Sequence, residues 1–233
     1  MSLSSFLNQS DVRARFKQEF PKPNLRTNHQ LLAPPLAQNY SQVGTAFDYL
    51  MRFFLKSLNP QAIERNWVAE NSLSLLSAQG FHHLAEQANL IITQARTHYA
   101  EFLRTQELSS DLIKSALLLA KLDPFSRRGK IDSNLSCIDE RDVEDLRSLM
   151  ALVDANLFRT TGGVCLNPTL GEASFLVGGA DADLVVDDLI LEIKTLRNLK
   201  LERDDFNQLI GYYCLSKIGS LNGDGVDREL RKI

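Results

Sequence analysis

Residues 180–195, ADADLVVDDLILEIKT, set four charged side chains among apolar runs: Asp181, Asp183, Glu192 and Lys194. A charge inside a buried strand is costly unless it is paired or bound. Antiparallel strands over 182–186 and 189–194, turning at Asp187-Asp188, would pair positions whose numbers sum to 375. Asp183 then faces Glu192 and Asp181 faces Lys194, and directly paired residues point to the same side of a sheet. All four charges share one face on this register. The other face carries Ala182, Leu184, Val186, Leu189, Leu191 and Ile193 and must be buried.

Like charges opposed across a sheet destabilise it, and a cation between the carboxylates relieves the repulsion. A hard divalent ion such as Mg²⁺ takes one or two carboxylates and completes its shell with water and phosphate oxygens. Such an ion polarises a phosphoryl oxygen and acidifies a bound water. Lys194, two residues along the strand, could orient that water or stabilise developing charge. The same spacing also suits a solvent-facing hairpin in which Lys194 simply pairs with Asp181 or Glu192.

The elements that must position these residues follow from periodicity. Residues 1–40 are polar, are broken by Pro21, Pro23, Pro34 and Pro35, and predict a short helix or two and an extended arm. From Val43 to Leu58 the apolar Phe47, Leu50, Met51, Phe54 and Leu55 fall at helical spacing, entered through Gly44-Thr45. Further helices are expected over 62–77, from Phe81 to Thr105, from Ser110-Asp111 to just before Pro124, and from Asp139 or Ser136 to Phe158. Val143, Leu146, Met150 and Val153 form the core stripe of the last. Glycines 162, 163, 171, 178 and 179 then punctuate two or three short strands. Helical period returns over 205–218, before a polar tail at 219–233. The expected fold is α/β: a mixed sheet flanked by helices in a single domain, mainly helical over 1–156 and sheet-containing over 157–233.

With 233 residues, 44% of them apolar and 24% charged, the chain should build an ordinary core. A net charge of −3 gives no global polyanion-binding signature, so a nucleic acid would have to meet a local basic patch. Three scattered cysteines without CxxC spacing argue against zinc, iron–sulfur and disulfide frameworks. The N-terminus lacks an apolar leader and no stretch approaches a membrane span, so a cytoplasmic protein with no membrane partner is expected.

Four segments, in order, resemble the PD-(D/E)XK nuclease superfamily, and its RecB-like branch in particular. They are GTAFDYLMRF at 44–53, GGADADLVV at 178–186, LEIKT at 191–195 and QLIGY at 208–212. The resemblance covers 44–56 and about 175–215. It implies a restriction-endonuclease-like core and metal-dependent cleavage of phosphodiesters, usually in DNA, with RNA as the other candidate. Asp183 and Glu192 would hold Mg²⁺ or Mn²⁺, Lys194 would be the catalytic lysine, and Gln208 and Tyr212 would line the active site from one helix face. Asp181 is the alternate first ligand, because Gly178-x-x-Asp181 also fits the family pattern. Asp48 stands where the family usually carries a histidine, and is a further metal-ligand candidate beside a plain surface role.

The chain also ends soon after the QLIGY helix, where the family adds at least one strand. It is then a fragment, a short member, or one that borrows an edge from a partner, as in a homo-oligomer. The alternative function is a non-catalytic nucleic-acid-binding or protein-interaction module that keeps the fold.

Other candidates carry less. His82 and His83 are adjacent and point apart on a helix. Cys214 reads as core. Glu144 and Asp145 are expected on a solvated helix face, with a third acidic ligand as their other reading. Arg127, Arg128 and Lys130, or Arg197, Lys200 and Arg203, could contact phosphates, the second group being better placed.

Overall fold

The structure, a computed structural model, describes residues 2–24, 30–130, 134–196 and 200–221. Arg197, residues 222–233 of the tail and the side chain of Arg128 lie outside that description. The described residues form a mostly helical α/β chain. In order the elements are α1 (Leu3–Leu7), α2 (Ser10–Glu19), α3 (Tyr40–Leu58), β1 (Ile63–Glu64), α4 (Val68–Ala78), α5 (His82–Thr105), α6 (Ser110–Arg128), α7 (Glu140–Ala151), β2 (Val164–Leu166), α8 (Ala173–Leu176), β3 (Leu184–Val186), β4 (Leu189–Leu191) and α9 (Arg203–Ile218). Among them no helix is long and apolar enough to cross a membrane. The chain divides into two compact units: Leu32–Pro60 with Asn66–Arg159, and Met1–Leu31 with Gln61–Arg65 and Thr160–Ile233.

The first unit is helical. Helix α3 begins at Tyr40, ahead of the expected entry, so Gly44-Thr45 lies inside its first turns. There the Thr45 hydroxyl donates to the Ser41 carbonyl (3.1 Å), satisfying itself within the helix. The buried face of α3 carries Tyr49, Leu50, Phe53 and Leu55. Phe53 stacks on Tyr99 of α5 with centroids 4.2 Å apart, and Trp67 lies 5.3 Å from Phe53.

Helix α6 is capped by the Ser109 hydroxyl, which accepts from the Leu112 N–H at 3.2 Å, and it runs through Pro124 to Arg128 rather than stopping before it. An internal proline removes one helical hydrogen bond and crowds the preceding turn. The strain is relieved from outside the helix. The buried Ser72 hydroxyl of α4 donates to the Leu122 carbonyl (2.7 Å) and accepts from the Ser126 N–H (3.0 Å), entering the ladder between them. The PFSRRGK segment is therefore helical up to Arg128, and Gly129 (φ 64°) closes it. Helix α7, capped by Asp139, ends at Ala151, and a 3₁₀ turn over Ala155–Leu157 follows. Val153 is only half-buried, whereas Val143, Leu146 and Met150 are core.

Asp123, Asp142 and Asp145 are buried acids of the helical unit. Asp123 is 3% exposed and accepts the Tyr49 hydroxyl at 2.7 Å. Burial pushes its carboxyl up to about 6, against the pull of that hydrogen bond and of Arg127 and Arg52. A raised native value means that the protonated form stabilises the fold. That contribution is complete below the ordinary value of 3.8 and is lost as pH rises through about 6. Asp123→Asn, which keeps an acceptor for Tyr49, should therefore be more stable than wild type at pH 7 by up to about 3 kcal/mol. Urea unfolding between pH 4 and 7 should show that difference shrinking as pH falls; a pH-independent difference contradicts the assignment.

The second unit holds the sheet, with strand order β1-β2-β3-β4. Three strands fall in the glycine-punctuated region. The fourth, β1, lies in the 62–77 stretch expected to be helical throughout. Helix α4 starts only at Val68, where Glu70 accepts the Trp67 N–H at 3.0 Å. Residues 61–65 are thereby left to pair in parallel with β2, as Ile63↔Cys165 and Glu64↔Leu166. The β3–β4 register is the expected one, with Leu184↔Leu191, Val185↔Ile190 and Val186↔Leu189. Asp187 turns the hairpin at φ 53°, a conformation Asp tolerates better than most residues. Its carboxylate accepts from the Thr160 hydroxyl (2.8 Å) and the Gly163 N–H (3.1 Å).

The expectation of one buried and one charged face needs correction. Leu184 and Val186 are buried, but Leu189, Leu191 and Ile193 are only half-buried. The face that carries Asp183 and Glu192 itself enters the core through Val185 and Ile190, which cluster with Cys165, Ala182, Leu3, Leu7, Tyr212 and Leu215. Both faces are covered because helices pack against the side expected to be open. At the hairpin base, a Cβ on Gly162 would sit 1.8 Å from Asp187 Oδ1. Gly162→Ala should therefore break the turn's bonds to Thr160 and Gly163 and cost about 1–2 kcal/mol. An unchanged urea midpoint would contradict this.

Candidate functional site

Strand directions gather the candidate residues. Since β1 runs parallel to β2, and β3 antiparallel to both β2 and β4, one end of the sheet carries the exits of β1, β2 and β4 and the entry to β3. Asp183 immediately precedes β3 and Glu192 immediately follows β4. The ladder changes character there: the Asp183 carbonyl accepts the N–H of Asn167 (2.8 Å), itself at φ 54°. The Asp183 carboxylate accepts the Ile193 N–H at 2.6 Å, which ties it to the chain beside Glu192. The expected juxtaposition of Asp183 and Glu192 thus exists, with a side-chain-to-backbone bond replacing the last rung of regular pairing.

Lys194 lies two residues beyond Glu192 on the same face. Its ammonium donates to Glu192 Oε1 at 2.7 Å and to Gln208 Oε1 at 3.2 Å. Gln208 in turn donates through Nε2 to the Tyr212 hydroxyl oxygen at 2.7 Å. Gln208 and Tyr212 are one turn apart on α9, so the helix presents them together. The Glu192 side chain is 6% exposed and that of Lys194 34%. Glu192 is thus mostly covered while Lys194 stays exposed, and their pairing is one that the hairpin reading also allowed.

Burial pulls the Lys194 ammonium down, but the Glu192 charge and hydrogen bond, helped by Asp183 and Asp205, outweigh it and hold the pKa above its ordinary value. Lys194 is therefore a cation at neutral pH. Burial, followed by the negative charges of Glu192, Asp183 and Asp181, drives the Tyr212 hydroxyl well up. It stays protonated.

The cation that the Asp181 carboxylate meets is not the Lys194 of the register-based expectation. Asp181 bridges to Thr169 in the strand-like stretch after β2, and its carboxylate pairs with the Arg65 guanidinium at 3.3 Å. The competing cation comes from β1, the strand that periodicity missed. The capping role of Glu70 is the signal that could have exposed it, since it starts α4 late and leaves Ile63-Glu64-Arg65 extended.

Of the remaining candidates, Asp48 pairs with Arg52 within α3 at 2.5 Å. Glu144 lies 3.5 Å from Arg147, and Asp145 accepts the Leu36 and Ala37 N–H groups at 2.8 and 3.3 Å. All three acids are engaged inside the helical unit, Asp145 in a structural role rather than on the solvated face expected of it. His82 and His83 are exposed, Cys214 is half-buried, and Arg127 and Lys130 are exposed. Lys200 pairs with Glu202 at 2.8 Å. Arg203 is no phosphate-binding group: its guanidinium donates to the Phe16 and Phe20 carbonyls at 2.6 and 2.8 Å, capping the C-terminus of α2.

Among the described residues no three or more His, Cys, Asp or Glu side chains are grouped to hold a metal. The Asp183 and Glu192 carboxylates stand at the sheet end, with Asp181 beyond them paired with Arg65. Two carboxylates with open positions for water and phosphate suit Mg²⁺, which seldom takes an all-protein cage, and do not suit zinc. Comparison of the chain with protein-family models, with curated proteins and with solved structures finds no match.

Proposed function

We propose that the chain is a Mg²⁺- or Mn²⁺-dependent nuclease that hydrolyses phosphodiester bonds, with DNA as its expected substrate, on a restriction-endonuclease-like core in the sheet unit. The reading rests above all on one observation. Lys194 is held by a nearly buried Glu192 and by Gln208, next to an Asp183 fastened to the same strand end. Partly covered charge concentrated at one strand end is a pattern that folding alone does not favour and that active sites use.

Asp183 and Glu192 would hold the ion, which when bound polarises a phosphoryl oxygen and makes its water a better nucleophile. The chain's own groups do the rest. The Lys194 ammonium, kept protonated at Nζ by Glu192, can donate a hydrogen bond to a non-bridging phosphate oxygen as negative charge grows there. Gln208 fixes the direction of that ammonium through its amide oxygen, while Tyr212 fixes the amide through its hydroxyl. The cover over the Glu192 side chain and the burial of Tyr212 on α9 limit water at the back of the site.

Purified protein should cut single-stranded, duplex or branched DNA, or RNA, in Mg²⁺ and lose that activity in EDTA. Lys194→Ala should lower the rate about a hundredfold or more while leaving nucleic-acid binding in place. Failure of all four substrates to be cut in Mg²⁺ or Mn²⁺ overturns the reading. Binding without turnover, unaffected by Lys194→Ala, assigns the chain instead as a non-catalytic binding module.

A further inference from the structure

We propose that Arg65 anchors a backbone phosphate of the nucleic acid beside the site, exchanging its contact with Asp181 for that phosphate when the strand arrives. The inference rests on the nuclease reading above and adds a residue which that reading did not contain. Placement comes first. The rung Glu64, Leu166, Leu184, Leu191 crosses all four strands, and Arg65 leaves the sheet one residue beyond it. That is the end where Asp183 and Glu192 stand. With strands about 4.8 Å apart, the Arg65 backbone lies two strands, roughly 10 Å, from that of Asp183. This is too far to join an ion held at Asp183 and Glu192, and within reach of an adjoining phosphate for a side chain of arginine length.

Availability comes second. The Arg65 and Asp181 side chains are 42% and 50% exposed, and they meet through one long 3.3 Å contact. Exposed pairs of this kind are worth about 0–1 kcal/mol, so giving the contact up costs little. A phosphate offers the guanidinium two parallel charge-assisted hydrogen bonds in its place. The other three described arginines of the sheet unit are held elsewhere: Arg13 by Asp204, Arg15 by Glu19, and Arg203 by the α2 carbonyls. Lys194 is already engaged by Glu192 and Gln208. The Arg13 and Arg15 pairs are exposed too, but they close at 2.9 and 2.8 Å and belong to α2; Arg65 is the described guanidinium of this unit that follows a strand at the site end, and its contact is the longest of the three. Asp181 keeps it pointed along the sheet end and competes with the incoming phosphate.

The two residues should therefore act in opposite directions. In the full chain carrying Lys194→Ala, which binds without cutting, affinity for a fluorescein-labelled DNA oligonucleotide in Mg²⁺ is measured across a salt series. Arg65→Ala should weaken binding roughly tenfold at about 0.1 M salt and reduce the log–log salt slope by roughly 0.7–0.9. Arg65→Lys should restore the slope but only part of the affinity, and Asp181→Asn should tighten binding. Unchanged affinity and slope in Arg65→Ala, with the parent protein binding normally, overturns the proposal and leaves the nuclease reading intact. If wild type binds but never cuts, the nuclease reading fails while the salt slope still decides the role of Arg65. If the parent protein binds no DNA at any salt, both fall.

Discussion

A carboxylate whose side chain is 6% exposed is costly without a partner, and in this protein a partner is Lys194 at 2.7 Å. Much of the sheet unit is arranged around that ion pair. Glu192 reaches its position because β4 ends one residue earlier, and Asp183 secures the strand end by taking the Ile193 N–H. The exposed Lys194 ammonium has a second acceptor in Gln208, which α9 supplies. Helix α9 is itself held by α1 and α2, through Leu3 and Leu7 in the core and through Arg203, which caps the C-terminus of α2. The N-terminal helices thus bear on the pair only indirectly, by fixing the helix that holds Gln208.

An ion pair with one partner drawn into the core is a poor device for stability. The cost of dehydrating both charges commonly matches or exceeds their attraction, and apolar residues of similar volume usually serve as well. In this unit such residues surround the pair on the same face: Val185 and Ile190 lie one pleat away. The sheet could have continued in that manner to its end and does not. Asp123 in the helical unit makes an instructive contrast. It too is buried, but its partner is the neutral Tyr49 hydroxyl, and its carboxyl rises to about 6. At the strand end the acid is matched by a cation instead, an arrangement that preserves charge.

Legibility followed the range of the forces involved. The hairpin register could be read from the sequence because a period of two and a short turn leave few alternatives, and the helices over Phe81–Thr105 and 205–218 were legible from their helical period. Contacts distant in sequence escaped. Pro124 reads as a stop unless Ser72, 52 residues earlier, is known to enter the ladder. Strand β1 is two residues long and is defined by its parallel partner rather than by its own pattern. The Asp181 carboxylate meets Arg65 rather than the expected Lys194 for the same cause, since Arg65 arrives from that unseen strand. Within the site, the nearness of Asp183, Glu192 and Lys194 was legible, and so was the shared face of Gln208 and Tyr212. Their connection through Lys194 Nζ was not, because it depends on how α9 docks on the sheet.

The central claim is that Asp183 and Glu192 share one divalent ion. Anomalous diffraction from crystals soaked in Mn²⁺ tests it directly. The account predicts a manganese peak in direct contact with a carboxylate oxygen of each residue, with the Lys194 ammonium outside the coordination shell. A peak elsewhere, or carboxylates too far apart to reach a common ion, would contradict it.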